Sequence, residues 1–375
     1  MVEKIKKSSM RNNYGTIQCK KAGKYYIVMI FLVLLLLLAS CMVSTASVNE
    51  VTKLTASDAA EDDYFGYSVS VDGHTMVIGT LPFYFNSGSV YVYTHSGGTW
   101  TEQQKLTASD AAIFDGFGNS VSIEGDTIVI GAYGDDGSSG SAYVFTHSGG
   151  TWTEQQKLTA SDAAGGDVFG YAVSVDGDSI VIGARLDDDD AGNSGSAYVF
   201  TRSGTTWTEQ QKLTASDAAG GDGFGNAVSV DGDSIVIGAY YDDDDAGNSG
   251  SAYVFTRSGT TWTEQQKLTA SDAAKYDGFG HAISVDRNTI LIGADGYSDH
   301  YSGSAYVFTR SGTTWTEQQK LTASDPAEYD HFGCSISFDG NTILIGVKGD
   351  DGSSGSAYVF THSGGVSRRS TTNSR

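Results

Sequence analysis

A unit of about fifty residues recurs six times between Lys53 and the end of this chain, with its landmarks in strict register. The segment Lys-Leu-Thr-Ala-Ser-Asp starts at Lys53, Lys105, Lys157, Lys212, Lys267 and, as the last copy, Lys320. Thirteen residues after each lysine comes the glycine of a Phe-Gly pair, at Gly66, Gly118, Gly170, Gly225, Gly280 and Gly333. Thirteen further on stand Gly79, Gly131, Gly183, Gly238, Gly293 and Gly346. The glycines of the Ser-Gly-Ser segments follow after nine to twelve residues, and seventeen more reach the next lysine. All length variation therefore falls in one loop. A fixed period of this size is the signature of stacked supersecondary units, each burying its apolar surface against its neighbours.

The local code within a unit is β throughout. Residues 227–239 read Ala-Val-Ser-Val-Asp-Gly-Asp-Ser-Ile-Val-Ile-Gly-Ala, two short strands around Asp231-Gly232. Asp-Gly between β-branched runs is a hairpin signal because both turn residues tolerate positive φ. Ser251–Thr256 alternates as a third strand, and Trp262–Thr269 reads as a fourth. Four antiparallel strands repeated about an axis describe a β-propeller blade. The sixth copy lacks its Trp-Thr-Glu-Gln strand, while the chain opens with an orphan of that strand at Val48–Ala56. The sequence thus predicts an all-β propeller of six four-stranded blades, closed by the N-terminal strand completing the last blade and leaving no free edge. An open solenoid would need capping repeats, and none is visible.

Phe117-Gly118, Ile130-Gly131-Ala132, Ala142–Phe145 and Trp152, with their counterparts, resemble the FG-GAP repeat of integrin α-subunit propellers, over nearly all of residues 48–365. That resemblance implies a secreted or cell-surface recognition or adhesion propeller. Two departures stand out. The proline of the family's Gly-Ala-Pro is replaced, for example by Tyr133, Arg185 and Tyr240. The family's calcium loop between strands one and two is reduced to a tight turn such as Asp176-Gly177-Asp178, so that site does not carry over.

Four regions follow: a basic segment 1–24, an apolar helix within 25–46, the propeller 48–365 and a disordered tail 366–375. The first carries seven Lys or Arg against Glu3, and the tail carries Arg368, Arg369 and Arg375. Between them stand 44 acidic and 13 basic residues, within a chain of net charge −22. Such a surface repels phosphate backbones, which excludes nucleic acid as a partner. Tyr25–Val43 reads either as a signal peptide cleaved near Ser44-Thr45-Ala46 or as a signal anchor crossing the membrane once. Leu38-Ala39-Ser40-Cys41 also resembles a lipoprotein box, with Cys41 lipidated. The positive charges keep the N-terminus cytoplasmic and send the propeller outside. Only Cys334 lies in the repeats, so no disulfide forms within the propeller.

In an up-and-down blade the strand 2–3 and 4–1 loops share one face, and nearly all variation among copies falls there. Ligand sites on β scaffolds are built from such loops. Its aromatic residues, Phe83, Tyr84, Phe85, Tyr133, Tyr240, Tyr241, Tyr297 and Tyr301, are candidate ligand contacts, since exposed rings stack on sugars or anchor proteins. The same residues could equally plug the channel. Asp187–Asp190 and Asp242–Asp245 offer clustered carboxylates to Ca2+, with Asp187, Asp189 and Asn193, and Asp242, Asp244 and Asn248, as candidate ligands. Ala191 stands where an EF-hand-like frame needs a fifth-position oxygen, which argues instead for solvated charge. The once-per-blade tryptophans and the aspartate two before each Phe read as architecture. Histidines are scattered and no acid–base set converges, so the reading is a non-enzyme. It binds an extracellular protein or glycan through the variable face; a lectin-like propeller and a structural surface repeat are the alternatives.

Overall fold

The computed structural model describes residues 52–60, 63–80, 86–296, 302–350 and 355–361. The apolar segment Tyr25–Val43, Cys41, the tail, and the candidates Phe83, Tyr84, Phe85, Tyr297 and Tyr301 lie outside them. Among the described residues no helix is long and apolar enough to cross a membrane.

Twenty-three strands among the described residues form six antiparallel sheets in up-and-down order, five with four strands and the last with three. In the first blade these are β1 (Ser68–Asp72), β2 (Thr75–Gly79), β3 (Val90–Ser96) and β4 (Thr99–Leu106). The β1–β2 hairpin closes with Asp72 opposite Thr75, and Gly73 takes φ 55°. The hairpin stands where the sequence predicts it, but the two turn residues are Gly73 and His74, one on from the Asp-Gly pair, because Asp72 still pairs with Thr75.

Because side chains alternate across a strand, each blade presents two apolar faces, and the core lies between blades. One such core joins Val129, Ala142 and Val144 of the second blade to Phe169, Val175, Ile182, Tyr198 and Trp207 of the third. Phe169 is fully buried and meets Tyr198 edge-on at 5.4 Å and Phe200 at 6.1 Å. Burying a ring of that size stabilises by roughly 2–3 kcal/mol. The glycines set the blade spacing. A Cβ on Gly131 would stand 2.0 Å from the Gly170 carbonyl oxygen, so the backbones of neighbouring blades touch there. Ser120 Oγ donates to that same carbonyl at 2.9 Å.

Outer strands are stitched by a repeated pair of polar links. Gln104 donates to the Trp152 carbonyl and accepts from its N–H, at 2.7 and 2.9 Å. Ser109 donates its N–H and hydroxyl to the two carboxylate oxygens of Glu154, both at 2.8 Å. The tryptophans are packing residues: Trp152, Trp207, Trp262 and Trp315 are buried. The aspartate two before each Phe has the turn role read from its repetition. Asp115, for example, accepts the Ala112 N–H at 2.5 Å.

The sixth sheet consists of β21 (Phe332–Asp339), β22 (Thr342–Val347) and β23 (Ser356–Thr361). The strand expected to complete it is not paired there among the described residues. Residues 48–51 lie outside them, and 52–56 take no strand. Leu54 and Ala56 pack on the first blade with Phe65, Tyr91 and Tyr93. Among the described residues, interblade cores of mixed parentage occur five times, whereas the core at the first blade holds that blade's residues with Leu54 and Ala56.

Candidate functional site

The two variable loops meet across each blade boundary, which makes them one surface. Phe169 N–H donates to the Ser139 carbonyl at 2.9 Å, Gly221 N–H to Gly192 at 3.0 Å, and Tyr276 N–H to Gly247 at 2.9 Å. In each case a 4–1 loop hangs on the 2–3 loop of the blade before it. Asn193 and Asn248 serve this docking through their backbones. They take φ 57° and 56°, and their carbonyls accept from Gly223 and Gly278.

The aspartate loops close on themselves before reaching outward. Gly195 N–H bonds the Asp187 carbonyl at 2.9 Å, and Asp189 N–H bonds the Asp187 carboxylate at 3.2 Å. Asp187 is buried, and with Asp189 it converges on Asp162 from the Lys-Leu-Thr-Ala-Ser-Asp segment, ligand atoms all within 4.8 Å. Asp217, Asp242 and Asp244 repeat the arrangement. The space between these carboxylates holds an ammonium group. Lys212 Nζ lies 2.8, 3.0 and 2.6 Å from Asp162, Asp187 and Asp189. Lys267 Nζ lies 2.8, 2.9 and 2.7 Å from Asp217, Asp242 and Asp244. Tyr198 completes the group by donating its hydroxyl to Asp162 and Asp187 at 2.8 and 2.7 Å.

A divalent ion needs six to eight oxygens around the position that the lysine nitrogen fills. These residues therefore do not fit Ca2+ as folded; the ion would first have to displace the ammonium. Electrostatics follow the same partners. Burial alone raises Asp162 and Asp217, yet hydrogen bonds from Lys212 with Tyr198, and from Lys267 with Tyr253, bring both below the usual carboxylate range. Nearby Asp222 has no such cation. Burial, reinforced by Asp242, Asp243 and Asp244 against one hydrogen bond from Ala219, pushes it up to about 6.

Of the aromatic candidates, Tyr133, Tyr240 and Tyr241 are brought to the inner rim, where they pack on one another's neighbours. Tyr240 is buried, with its ring 3.8 Å from Tyr241 and 5.6 Å from His281. Arg185 donates to its hydroxyl at 3.2 Å and lies 4.3 Å from the Tyr171 ring. Tyr133 meets Tyr171 at 6.1 Å. Tyr240 is thus buried among its neighbours, while Tyr133 and Tyr241 are half-buried.

The exposed rings are others. Phe114, Tyr276 and Tyr329 are solvent-exposed at the position three before Phe-Gly, with φ 76°, 71° and 71°. The same position holds Gly166 and Gly221 in the third and fourth blades, at φ 106° and 96°. A left-handed backbone there favours glycine by about 1 kcal/mol or more. Three blades nevertheless carry an aromatic. The signal lay in plain sight, since Phe114, Tyr276 and Tyr329 align with glycines in sister copies.

Two clusters were not legible. At the opposite mouth, Asp72, Glu124, Asp176, Asp231 and Asp286 line one hollow with Arg287. Asp72 accepts the Gly125 N–H and Asp176 the Gly232 N–H, both at 2.7 Å, tying each turn to the next blade. At the inner rim, buried Asp295 lies 3.0 Å from Lys348 and within 3.9 Å of His281 and His331. Cys334 lies nearby in charge terms, but burial pushes its thiol up, away from the thiolate that nucleophilic chemistry needs.

The profile of the FG-GAP repeat matches residues 48–93, 100–145, 152–200, 207–255, 262–308 and 315–360. No curated protein matches the chain. Six matched repeats, six blades and buried Phe-Gly pairs together place it: the chain belongs to the FG-GAP repeat family.

Proposed function

We propose that this chain is a non-catalytic recognition propeller, displayed at the cell surface or secreted, that binds an extracellular protein through the face built by the 2–3 and 4–1 loops. The observation that carries this is the set of exposed rings at left-handed positions. An exposed aromatic at a left-handed position carries a backbone cost that the glycine of the sister blades avoids. Rings of this kind anchor protein interfaces. The basic N-terminal segment and Tyr25–Val43 support delivery outside the cytoplasm, by cleavage or by anchoring, and the likeness to integrin α-subunit propellers supports adhesion.

A triple Phe114→Gly, Tyr276→Gly, Tyr329→Gly variant removes the rings and relaxes the backbone at once. Beads carrying the wild-type protein should attach to cells or matrix, and beads carrying the variant should not, at equal or higher melting temperature. Attachment no better than that of bare beads sinks the reading. The glycan alternative is favoured by the same rings, because sugars stack on exposed aromatics. Attachment lost after enzymatic removal of cell-surface glycans would move the ligand to that class.

A further inference from the structure

The third and fourth blades invite direct comparison, because residues 157–211 and 212–266 differ at only four positions in fifty-five. Val168, Tyr171, Arg185 and Leu186 of one are Gly223, Asn226, Tyr240 and Tyr241 of the other. Drift would scatter such changes over strands, turns and loops. These fall in one place. The rings of Tyr240 and Tyr241 are 3.8 Å apart, and a Cβ on Gly223 would stand 3.6 Å from the first and 3.7 Å from the second. First strands of successive blades touch one another and so line the axis, and the cluster stands where those strands begin. The residue after Phe-Gly varies around that rim, as Tyr67, Asn119, Tyr171, Asn226, His281 and Cys334, between strands that barely change.

Polar satisfaction fails at the same rim. Among the described residues, most buried side-chain atoms without a hydrogen-bond partner recur at one serine and one tryptophan position of the blade. The others are Asn119 Oδ1, Arg185 Nε, His281 Nδ1 and Asp295 Oδ1, all at the inner rim. Native proteins leave few such groups unpaired, so a cluster of them calls for a partner.

Arg185 sets the charge of that partner. Its guanidinium lies 4.3 Å from the centre of the Tyr171 ring, and Nη1 donates to the Tyr240 hydroxyl at 3.2 Å. Arg202 and Arg257 pair with Asp178 and Asp233, but Arg185 has no carboxylate within ion-pair reach among the described residues. In a chain of net charge −22, this cation is kept clear of acid. Its Nη2 is neither bonded nor buried. Burial pushes the Tyr240 hydroxyl up, so that it stays uncharged. Exposed Tyr67 is close enough to Tyr171, Tyr133 and Arg185 for their charges to act on it. Asn119 donates Nδ2 to the Tyr171 carbonyl at 2.8 Å and keeps Oδ1 as an unused acceptor.

A free guanidinium among neutral rings and an amide acceptor fits a ligand with a carboxylate, an apolar ring face and hydroxyl donors. We propose that the inner rim of the first three blades binds an acidic sugar, a pyranose that carries a carboxylate. The carboxylate pairs with Arg185, and the C–H face of the sugar lies on Tyr67 and Tyr133. An aspartate or glutamate of a protein partner supplies the charge but neither the face nor the hydroxyls. Attachment through Phe114, Tyr276 and Tyr329 does not depend on this site, so either can fail alone.

Calorimetric titration of the full chain, held in a detergent without a sugar headgroup, tests it with glucuronate, glucose and acetate. Glucuronate should bind saturably, and glucose and acetate each roughly tenfold more weakly, because each lacks half of the recognised groups. Arg185→Gln should weaken glucuronate roughly tenfold and leave glucose unchanged. Tyr67→Ala, at an exposed position where melting should not change, should weaken glucuronate and leave acetate unchanged. No saturable binding of glucuronate would overturn the proposal, as would acetate bound as tightly as glucuronate. Glucuronate binding undiminished in Arg185→Gln or in Tyr67→Ala would overturn it too.

Discussion

Lysine 212 shows how much one side chain decides here. It is a fixed landmark of the repeat, and its ammonium offsets part of the charge of three carboxylates, among them buried Asp187. Lys212→Met leaves those carboxylates facing each other and should cost about 2–3 kcal/mol, somewhat below the cost of breaking a fully buried pair because the lysine keeps some contact with solvent. Thermal melts with calcium and with a chelator extend the test. The wild-type protein should melt identically in both, while the Met variant should regain stability with millimolar Ca2+. A clear calcium shift in the wild type would mean that the ion displaces the lysine. Asp222 gives the pH arm. Burial raises its folded pKa from the ordinary 3.8 to about 6, so the folded state holds the proton more tightly. The stability it contributes is full below the unfolded value and is lost as pH rises through about 6. Asp222→Asn keeps an acceptor for the Ala219 N–H and should gain about 1–2 kcal/mol at pH 7, with no gain at pH 4. Equal gains at both pH values would assign the effect to something other than the charge.

Strands and loops differ in how far they could be read beforehand. Strand positions were legible because alternation and the Asp-Gly signal are local, although Asp231 pairs with Ser234 and so leaves Gly232-Asp233 as the turn, one residue on. Phe-Gly was legible as packing because six copies repeat it. The loops were not, because their partners lie in the neighbouring unit. Nothing near Asp187 announces Lys212, which is twenty-five residues on, and nothing near Tyr240 announces Arg185, a full unit back. The exposed rings were missed for another reason: a left-handed φ is written in the aligned glycines of sister blades, not in Phe114 itself. That contrast makes a prediction. Phe114→Gly should raise stability by about 0.5–1 kcal/mol, because glycine adopts φ 76° without the Cβ penalty. A loss measured by denaturant titration would show that the ring packs more than its exposure implies. The register of the blades is equally testable. Gly131→Ala places a Cβ against the Gly170 carbonyl and should destabilise by about 1–3 kcal/mol, the range for overpacking.

The propeller is a succession of near-identical blade-to-blade interfaces, which bears on what sets its stability. Each sheet shares its core with the sheets before and after it, so folding free energy is approximately a sum over blades and their contacts. The third and fourth blades are nearly the same sequence, and Lys212 and Lys267 open identical segments. Deleting residues 212–266 joins Gln211 to Lys267 with the repeat unbroken. The shortened chain keeps both end faces and loses one blade with one interface. It should still unfold in a cooperative transition, with a smaller denaturant m-value because less surface is exposed on unfolding. A ring closed by its own strand behaves differently. Five blades of a shape cut for six must strain every interface, so the deletion would destabilise the protein far beyond one blade's share. Measuring the m-value and midpoint of both chains separates these cases, and a midpoint lowered by far more than one blade's share would assign the stability to the closed ring.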